Sequence, residues 1–350
     1  MPPLRIAVAG AGLIGARHIE LIQASAECQL SAIVDPSPAA REVAELAQVP
    51  LYTSLAALFA ARKPDGIILA TPNALHVEQA LNCLDAGVPA LIEKPLAHTL
   101  AEGERLCAAA RQSATPLMVG HHRAHSPLLA TARAIIESGR LGKLVSVMGS
   151  ALFYKPAEYF EAAPWRREAG GGPILINLIH EIGNLRSLCG EIVAVQAMTS
   201  SATRNHAVED TASVNLRFAN GALGVFALSD TAASPRSWEQ TSQENKSYSS
   251  YKDEDCYVLA GTHGSLAVPT LRLKYFARDE DRSWWKPFQC ESVEPQRDDP
   301  LERQLSHFCQ VIRGECQPLV TVHDGLQNLR VIEAIGEAAR NGRTVEVMLD

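Results

Sequence analysis

The sequence predicts an α/β chain in two parts: a doubly wound parallel sheet first, then an α+β domain on a large, open, mostly antiparallel sheet. Three observations predict it. Through the first third, short apolar, β-branched runs alternate with helical patterns, the signature of parallel strands joined by crossover helices. The first run empties directly into a glycine-rich turn. From about Ile192 the pattern changes to long strands, with Asn220-Gly221 between two of them as a strong hairpin signal. A chain of 350 residues has room for two cores, and the change of character places the domains at 1–122 and 123–350.

Composition narrows the class. The hydrophobic fraction of 47% and charged fraction of 20% are those of an ordinary soluble globular protein. A formal net charge of -7 argues against a nucleic-acid surface. The eight cysteines are scattered without a C-x-x-C pair, mostly in apolar segments, and read as reduced, buried or half-buried thiols. No leader pattern precedes the first strand, and no apolar run reaches the ~18 residues of a membrane helix. A cytoplasmic protein without a membrane or nucleic-acid partner is the expectation.

The elements follow in order. Leu4 to Ala9 is a strand, and Gly10-Ala11-Gly12-Leu13-Ile14-Gly15 opens a helix that runs to about Ser25. G-x-G-x-x-G between a strand and a helix is the context that binds a dinucleotide. Gly10 permits the tight turn, Gly12 lets a pyrophosphate approach the backbone, and Gly15 lets the helix pack on the strand. Leu13 and Ile14 lie at the helix N-terminus, whose N–H groups and dipole favour phosphate. The next strand, Gln29 to Val34, ends in Asp35. An acid there accepts the ribose hydroxyls and repels a 2′-phosphate, so NAD is the expected cofactor. NADP is the alternative, because Arg41 lies close in sequence.

Ser54 caps a short helix, Gly66 to Ala70 is a buried strand, and Thr71-Pro72-Asn73 at its end are candidates to line the cofactor. His76 either touches the nicotinamide side or is simply a polar residue in the first turn of the helix that ends at Gly87. Ala90-Leu91-Ile92 is a strand that delivers Glu93-Lys94-Pro95 to the sheet's carboxyl edge, where ligands bind in such sheets. Pro95 keeps Lys94 out of helical geometry and on a stiff turn, and Glu93 either fixes the lysine or touches the cofactor. Thr99 and Glu102 form a capping-box pattern, and Leu117 to Val119 is the last strand.

His121-His122-Arg123-Ala124-His125 reads as a hinge entering the cleft between the domains, with His122 a candidate substrate contact. The spacing does not suit a metal, and none is expected. Leu144 to Tyr154 is a strand, followed by an irregular stretch with Lys155, Tyr159, Trp165, Arg166 and Arg167. Gly170-Gly171-Gly172 precede a largely apolar helix from Pro173 to about Cys189. Asn177, His180 and Asn184 form a polar stripe on it, which needs partners or a wet cavity. Residues 209–218, 222–229, 255–260, 265–268 and 271–276 are further strands, and 237–253 reads as a long solvated loop. Two helices, about Pro300 to Arg313 and Asp324 to Asn341, and a strand at Thr344 to Met348 complete the chain.

Together these residues resemble the Gfo/Idh/MocA oxidoreductases, the glucose–fructose oxidoreductase and inositol dehydrogenase family. The carriers are Gly10-x-Gly12-x-x-Gly15-x-x-His18, Thr71-Pro72-Asn73 with His76, Glu93-Lys94-Pro95, Trp165-Arg166, and Gly170-Gly171-Gly172 followed by His180. The resemblance covers essentially the whole length. It implies a Rossmann domain, NAD or NADP, and homodimers or homotetramers built on the second domain's sheet. It also implies that Lys94 and His180 are catalytic. Trp165 and Arg166 would shape and hold the substrate, and either Asn177 orients it in place of the aspartate many members carry or Lys94 and His180 act without one. The sequence departs from the family where many members carry aspartates. Those positions are Ile176 and Gly183 here, with Asn177 and Asn184 beside them.

The implied reaction is hydride transfer between nicotinamide and a secondary alcohol or ketone of a sugar, polyol or related cyclic hydroxylated compound. His180 suits the general base and Lys94 the cation that stabilises an alkoxide-like oxygen, or a depressed-pKa Lys94 is the base itself. Lys155, Arg166 and Arg167 point to a hydroxylated or anionic substrate. Two other readings stay open: a nicotinamide-binding regulator on the same fold, and a dihydrodiol dehydrogenase.

Overall fold

The computed structural model describes residues 2–349. The chain divides into two compact units. One holds the residues up to His125 together with Pro300–Leu329, and the other holds Ser126–Asp299 with the chain from Arg330 on. The expected boundary at 122 lies three residues from the first break. The return of 300–329 to the first unit was not anticipated.

In the first unit, the six strands are β1 (Leu4–Ala9), β2 (Cys28–Val34), β3 (Leu51–Tyr52), β4 (Gly66–Leu69), β5 (Ala90–Glu93) and β6 (Leu117–Gly120). They form one parallel sheet in the order β3-β2-β1-β4-β5-β6. The strand order reverses between β1 and β4, the switch point at which such sheets bind ligands. The crossovers are α1 (Leu13–Ala24), α2 (Ala40–Ala47), α3 (Leu55–Ala61), α4 (His76–Ala86) and α5 (Leu100–Arg111). Their ends follow local chemistry. Ser54 accepts from the Ala57 N–H, Thr99 and Glu102 close a reciprocal capping box, and Gly87 ends α4 in the left-handed region. Strands β4, β5 and β6 are buried throughout, as a sheet covered on both faces requires.

The helix Pro300–Ile312 explains the late segment's membership. Its Leu305, Phe308, Cys309 and Val311 pack with Ile19, Ile22, Cys28 and Ile33 in one apolar cluster. Around that cluster, Ser306 Oγ donates to Glu27 Oε1 at 2.6 Å and Arg313 Nη1 approaches Glu27 Oε2 at 3.3 Å.

The second unit begins with α6 (Pro127–Glu137), capped by Ser126 with Pro127 at its first position. Its sheet has nine strands: β7 (Leu144–Leu152), β8 (Ile192–Ser200), β9 (Thr211–Phe218), β10 (Leu223–Ser229), β11 (Tyr257–Gly261), β12 (Gly264–Val268), β13 (Arg272–Tyr275), β14 (Gln289–Ser292) and β15 (Val345–Glu346). The order is β14-β13-β12-β11-β7-β10-β9-β8-β15, and only the β7–β10 pairing is parallel. Asn220-Gly221 closes the β9–β10 hairpin, with Gly221 at φ +90. Burial alternates along β9, so one face of the sheet carries the core with α6 and the helix Ile179–Cys189. Three short helices lie in the connections: α7 (Ala157–Glu161), α8 (Ile179–Cys189, after a π-helical turn at Ile174–Leu178) and α9 (Trp238–Thr241).

Two expectations are corrected. The start of the expected solvated loop at 237–253 belongs to the core. Trp238 is 3% exposed, stacks on Tyr257 with ring centroids 5.8 Å apart, and donates to Glu244 Oε2 at 3.0 Å. Burial of an indole with its N–H satisfied outweighs the polar residues around it. The polar stripe on the Pro173 helix also splits. Asn184 donates to the Tyr257 hydroxyl at 2.9 Å, and that hydroxyl binds Glu181, so Asn184 is a satisfied core group. Six of the eight cysteines are buried, Cys316 is half-buried and Cys290 is exposed. No helix among the described residues is long and apolar enough to cross a membrane.

Candidate active-site residues

In the first unit, the carboxyl ends of four adjacent strands, β2, β1, β4 and β5, carry the predicted cofactor residues. Gly10 has φ +90, and a Cβ on it would lie 2.5 Å from the Ala70 carbonyl oxygen. A Cβ on Gly15 would sit 1.9 Å from the Gly10 carbonyl oxygen, so helix and turn touch through glycine backbone alone. A Cβ on Gly12 would instead meet open space. No side chain caps α1, and Leu13 in its first turn is 87% exposed, with Ile14 half-buried behind it. An uncapped helix start beside an open glycine is a place that accepts a phosphate.

Asp35 closes the other side. Its Oδ2 accepts the Ala11 N–H and its Oδ1 the Ser37 N–H, both at 2.8 Å. Burial alone would raise this carboxyl, but the Ala11 and Ser37 hydrogen bonds outweigh it and hold Asp35 below its ordinary value. It is therefore a carboxylate at neutral pH, fixed to the glycine turn. These features fit a dinucleotide.

Thr71, Pro72 and Asn73 follow β4, and Thr71 Oγ1 donates to Gln79 Oε1 at 2.6 Å. His76 is 1% exposed, with one ring nitrogen 2.8 Å from the Thr71 carbonyl oxygen and the other 2.8 Å from that of Pro95. The ring ties the end of β4 to the turn after β5. Burial pushes its pKa down, against the two carbonyl contacts.

The Lys94–Pro95 peptide bond is cis. Lys94 is half-buried, whereas Glu93 is 5% exposed. Glu93 Oε1 lies 2.8 Å from His18 Nε2, and its Oε2 accepts the Lys94 N–H at 3.2 Å. Burial would raise Glu93, but His18, then His122 and Lys94, hold it below its ordinary value. His122 is half-buried, and packing, Arg123 and Lys94 push its pKa well down. Lys94 thus stands among a buried carboxylate and neutral or cationic neighbours. His18 was legible only as a position in a motif. Its role, holding Glu93 from α1, needed the fold.

In the second unit, Gly172 has φ +81, and a Cβ on it would lie 2.6 Å from Glu209 Oε1. That oxygen accepts the Ile174 N–H at 2.9 Å, at the start of the π-helical turn. Such turns recur at functional sites, and this one carries Ile176 and Asn177. Burial pushes the Glu209 carboxyl above its ordinary range, with the Ile174 N–H and Lys155 pulling it back. His180, in the first turn of α8, is 8% exposed. Trp165 is 54% exposed on a 3-10 turn, and Arg166 lies beside it with Cζ 3.8 Å from the Tyr159 ring centroid.

Sequence reasoning missed how Lys155 is held. It is 9% exposed and donates to Asn177 Oδ1 at 2.7 Å, with Asp230 Oδ2 at 3.7 Å. Asp230 also accepts from Arg204 Nε at 2.8 Å. The signal was an acid at the end of the second hairpin strand, too common a pattern to single out.

Comparison with known proteins identifies the family. A family described as "Oxidoreductase family, NAD-binding Rossmann fold" matches residues 4–121, and its "C-terminal alpha/beta domain" matches 133–347. The chain belongs to the Gfo/Idh/MocA oxidoreductases. Among curated members of this family, it is 27% identical over 294 residues to a 1,5-anhydro-D-fructose reductase of Ensifer adhaerens, covering 81% of this chain and 80% of that one. It is 26% identical over 344 residues to the rhizopine catabolism protein MocA of Rhizobium meliloti, covering 96% and 95%. The WlbA dehydrogenase of Bordetella pertussis, solved with NADH and UDP-GlcNAcA, superposes with a TM-score of 0.79 at 26% identity, over 99% of this chain and 100% of that one. A Gfo/Idh/MocA chain is an oxidoreductase of the sugar and polyol dehydrogenase type, with an NAD-binding first domain.

Proposed function

We propose that this protein transfers a hydride between NAD and a secondary alcohol, or the matching ketone, of a sugar, polyol or related cyclic hydroxylated compound. One observation carries the reading. Glu93-Lys94 ends β5 on the same sheet edge as the open glycine turn after β1 and Thr71–Asn73 after β4.

Gly10, Gly12, Gly15 and the N–H groups at Leu13 and Ile14 would hold the pyrophosphate, and Asp35 the adenosine ribose. Thr71, Pro72, Asn73 and Glu93 would line the same edge, with His76 holding that edge in shape. When bound, the nicotinamide supplies or takes up the hydride. The chain's own residues manage the rest. The Lys94 ammonium stabilises negative charge on the substrate oxygen, and Glu93 and His18 keep the turn that carries it in place. The His180 imidazole takes or returns the hydroxyl proton. Trp165, Arg166, Asn177 and His122 contact the substrate. NADP is the alternative cofactor, disfavoured by the ionised Asp35. Incubating the purified protein with NAD and a panel of polyols and sugars should produce absorbance of the reduced cofactor. No reduction with any of them, and no oxidation of NADH by the matching ketones, would contradict the reading.

Self-association through the second unit's sheet, as a homodimer or homotetramer, belongs to the same proposal. The sheet face away from the core exposes Met148, Val225 and Leu223, with Val225 directly beside Met148 in the β7–β10 ladder. A monomer rarely leaves such side chains grouped in solvent.

A further inference from the structure

The environment of Asn177 says more about the substrate. Lys155 donates to Asn177 Oδ1 at 2.7 Å. An ammonium has only donors, so the amide cannot be turned the other way round. Its oxygen faces the lysine, and its NH₂ group is presented on the other side, from a half-exposed residue of the π-helical turn. A carboxylate in this region would accept from substrate hydroxyls. This amide donates.

Arg166 asks for the same kind of partner. Its Nη1 donates to the Tyr159 carbonyl oxygen at 2.6 Å, and its Nε is buried with no hydrogen-bond partner among the described residues. Arg166 makes no ion pair with a carboxylate of the described residues, whereas Lys155 and Arg204 both have Asp230. Arg166 and Lys155 lie over one ring, that of Tyr159, at 3.8 and 4.7 Å from its centroid. A guanidinium with no counter-ion among the described carboxylates is incomplete, and a planar oxyanion matches the N–H donors at its outer end.

We propose that the substrate is a hydroxylated carboxylic acid, a sugar acid, whose carboxylate is received by Arg166 and the Asn177 amide, with Lys155 the positioning residue that sets the amide's direction. This rests on the dehydrogenase reading for the polarity of the substrate face, and it narrows the substrate class from sugars and polyols in general to their acids. It also accounts for the departure from the family at Ile176 and Asn177. An acid there would repel the ligand's carboxylate, and an amide held by a lysine attracts it.

The test uses the full-length protein saturated with NAD, and matched pairs: aldonates such as D-gluconate against alditols such as D-glucitol. Binding is read by calorimetry and turnover by reduced-cofactor absorbance. The wild type should bind the acid at least tenfold more tightly than its neutral partner. In Asn177→Asp, which is isosteric and keeps an acceptor for Lys155, that acid-over-neutral ratio should fall at least tenfold. Lys155→Met should lower the ratio similarly, and Lys155→Arg should restore it, an outcome that a purely structural role would not give. Equal or weaker binding of the acids, binding of neither class, or a ratio unmoved by Asn177→Asp overturns the proposal. Failure of the underlying reading shows separately, as acids that bind selectively and never reduce the cofactor.

Discussion

Asp35 is the residue on which the proposed choice of NAD over NADP rests. Its two hydrogen bonds to the glycine turn and Ser37 keep it ionised and still. Asp35→Asn should weaken NADH binding about tenfold, ~1.4 kcal/mol, and weaken NADPH binding less or not at all, measured by fluorescence titration of each cofactor. His18 is different: it touches Glu93, which is nearly buried. His18→Ala leaves that carboxylate without its histidine and should cost about 3 kcal/mol in urea unfolding. Asp35 was legible because strand, glycine turn, strand and acid come in sequence order. The His18–Glu93 pair was not, because nothing in a sequence says that a residue midway along one helix reaches a strand end 75 residues later. Asn177 was legible as a polar residue on an otherwise apolar helix. That it faces Lys155 depends on the return path of residues 153–156, which no local pattern specifies.

At the scale of elements, the π-helical turn at Ile174–Leu178 is the feature with most consequence. Gly172 makes it possible, since the chain there has φ +81 and runs against Glu209. Gly172→Ala forces a Cβ into the carboxylate that holds the Ile174 N–H. It should cost about 2 kcal/mol of stability by urea unfolding, through strain and a displaced Glu209. The crossover helices and the β9–β10 hairpin were legible because their caps and turn residues are local: Ser54, the Thr99–Glu102 box, Asn220-Gly221. The short helix at Trp238–Thr241 was hidden because its stability comes from Trp238 packing on Tyr257, a contact between distant segments. Tertiary burial decided what local polarity argued against.

For the molecule as a whole, acid should be a weakness of the first unit. His125 is held down to about 3, first by burial and then by His307 and Arg303, and packing holds His122 low as well. In the unfolded chain both histidines take up protons below about pH 6.5. The stability gained by keeping them neutral is present in full above that pH and is lost as the pH falls toward 3. Unfolding free energy should therefore drop by up to roughly 2.7 kcal/mol per pH unit in this window from these two groups, and His125→Asn should remove about half of that slope. Association makes a second whole-molecule prediction. Val225→Glu, on the exposed sheet face beside Met148, should shift light-scattering mass toward the monomer without unfolding the chain. The two-part architecture was legible from the change in strand pattern. The return of 300–329 to the first unit was not, because an amphipathic helix does not name the surface it covers. The central claim is that Lys94, at the end of β5, provides the charge that hydride transfer requires. It is tested most directly by comparing turnover and NADH binding in Lys94→Met and the wild type. In Lys94→Met, kcat/KM should fall about a thousandfold, ~4 kcal/mol, while the dissociation constant for NADH changes less than about threefold. Turnover within tenfold of the wild type would contradict it.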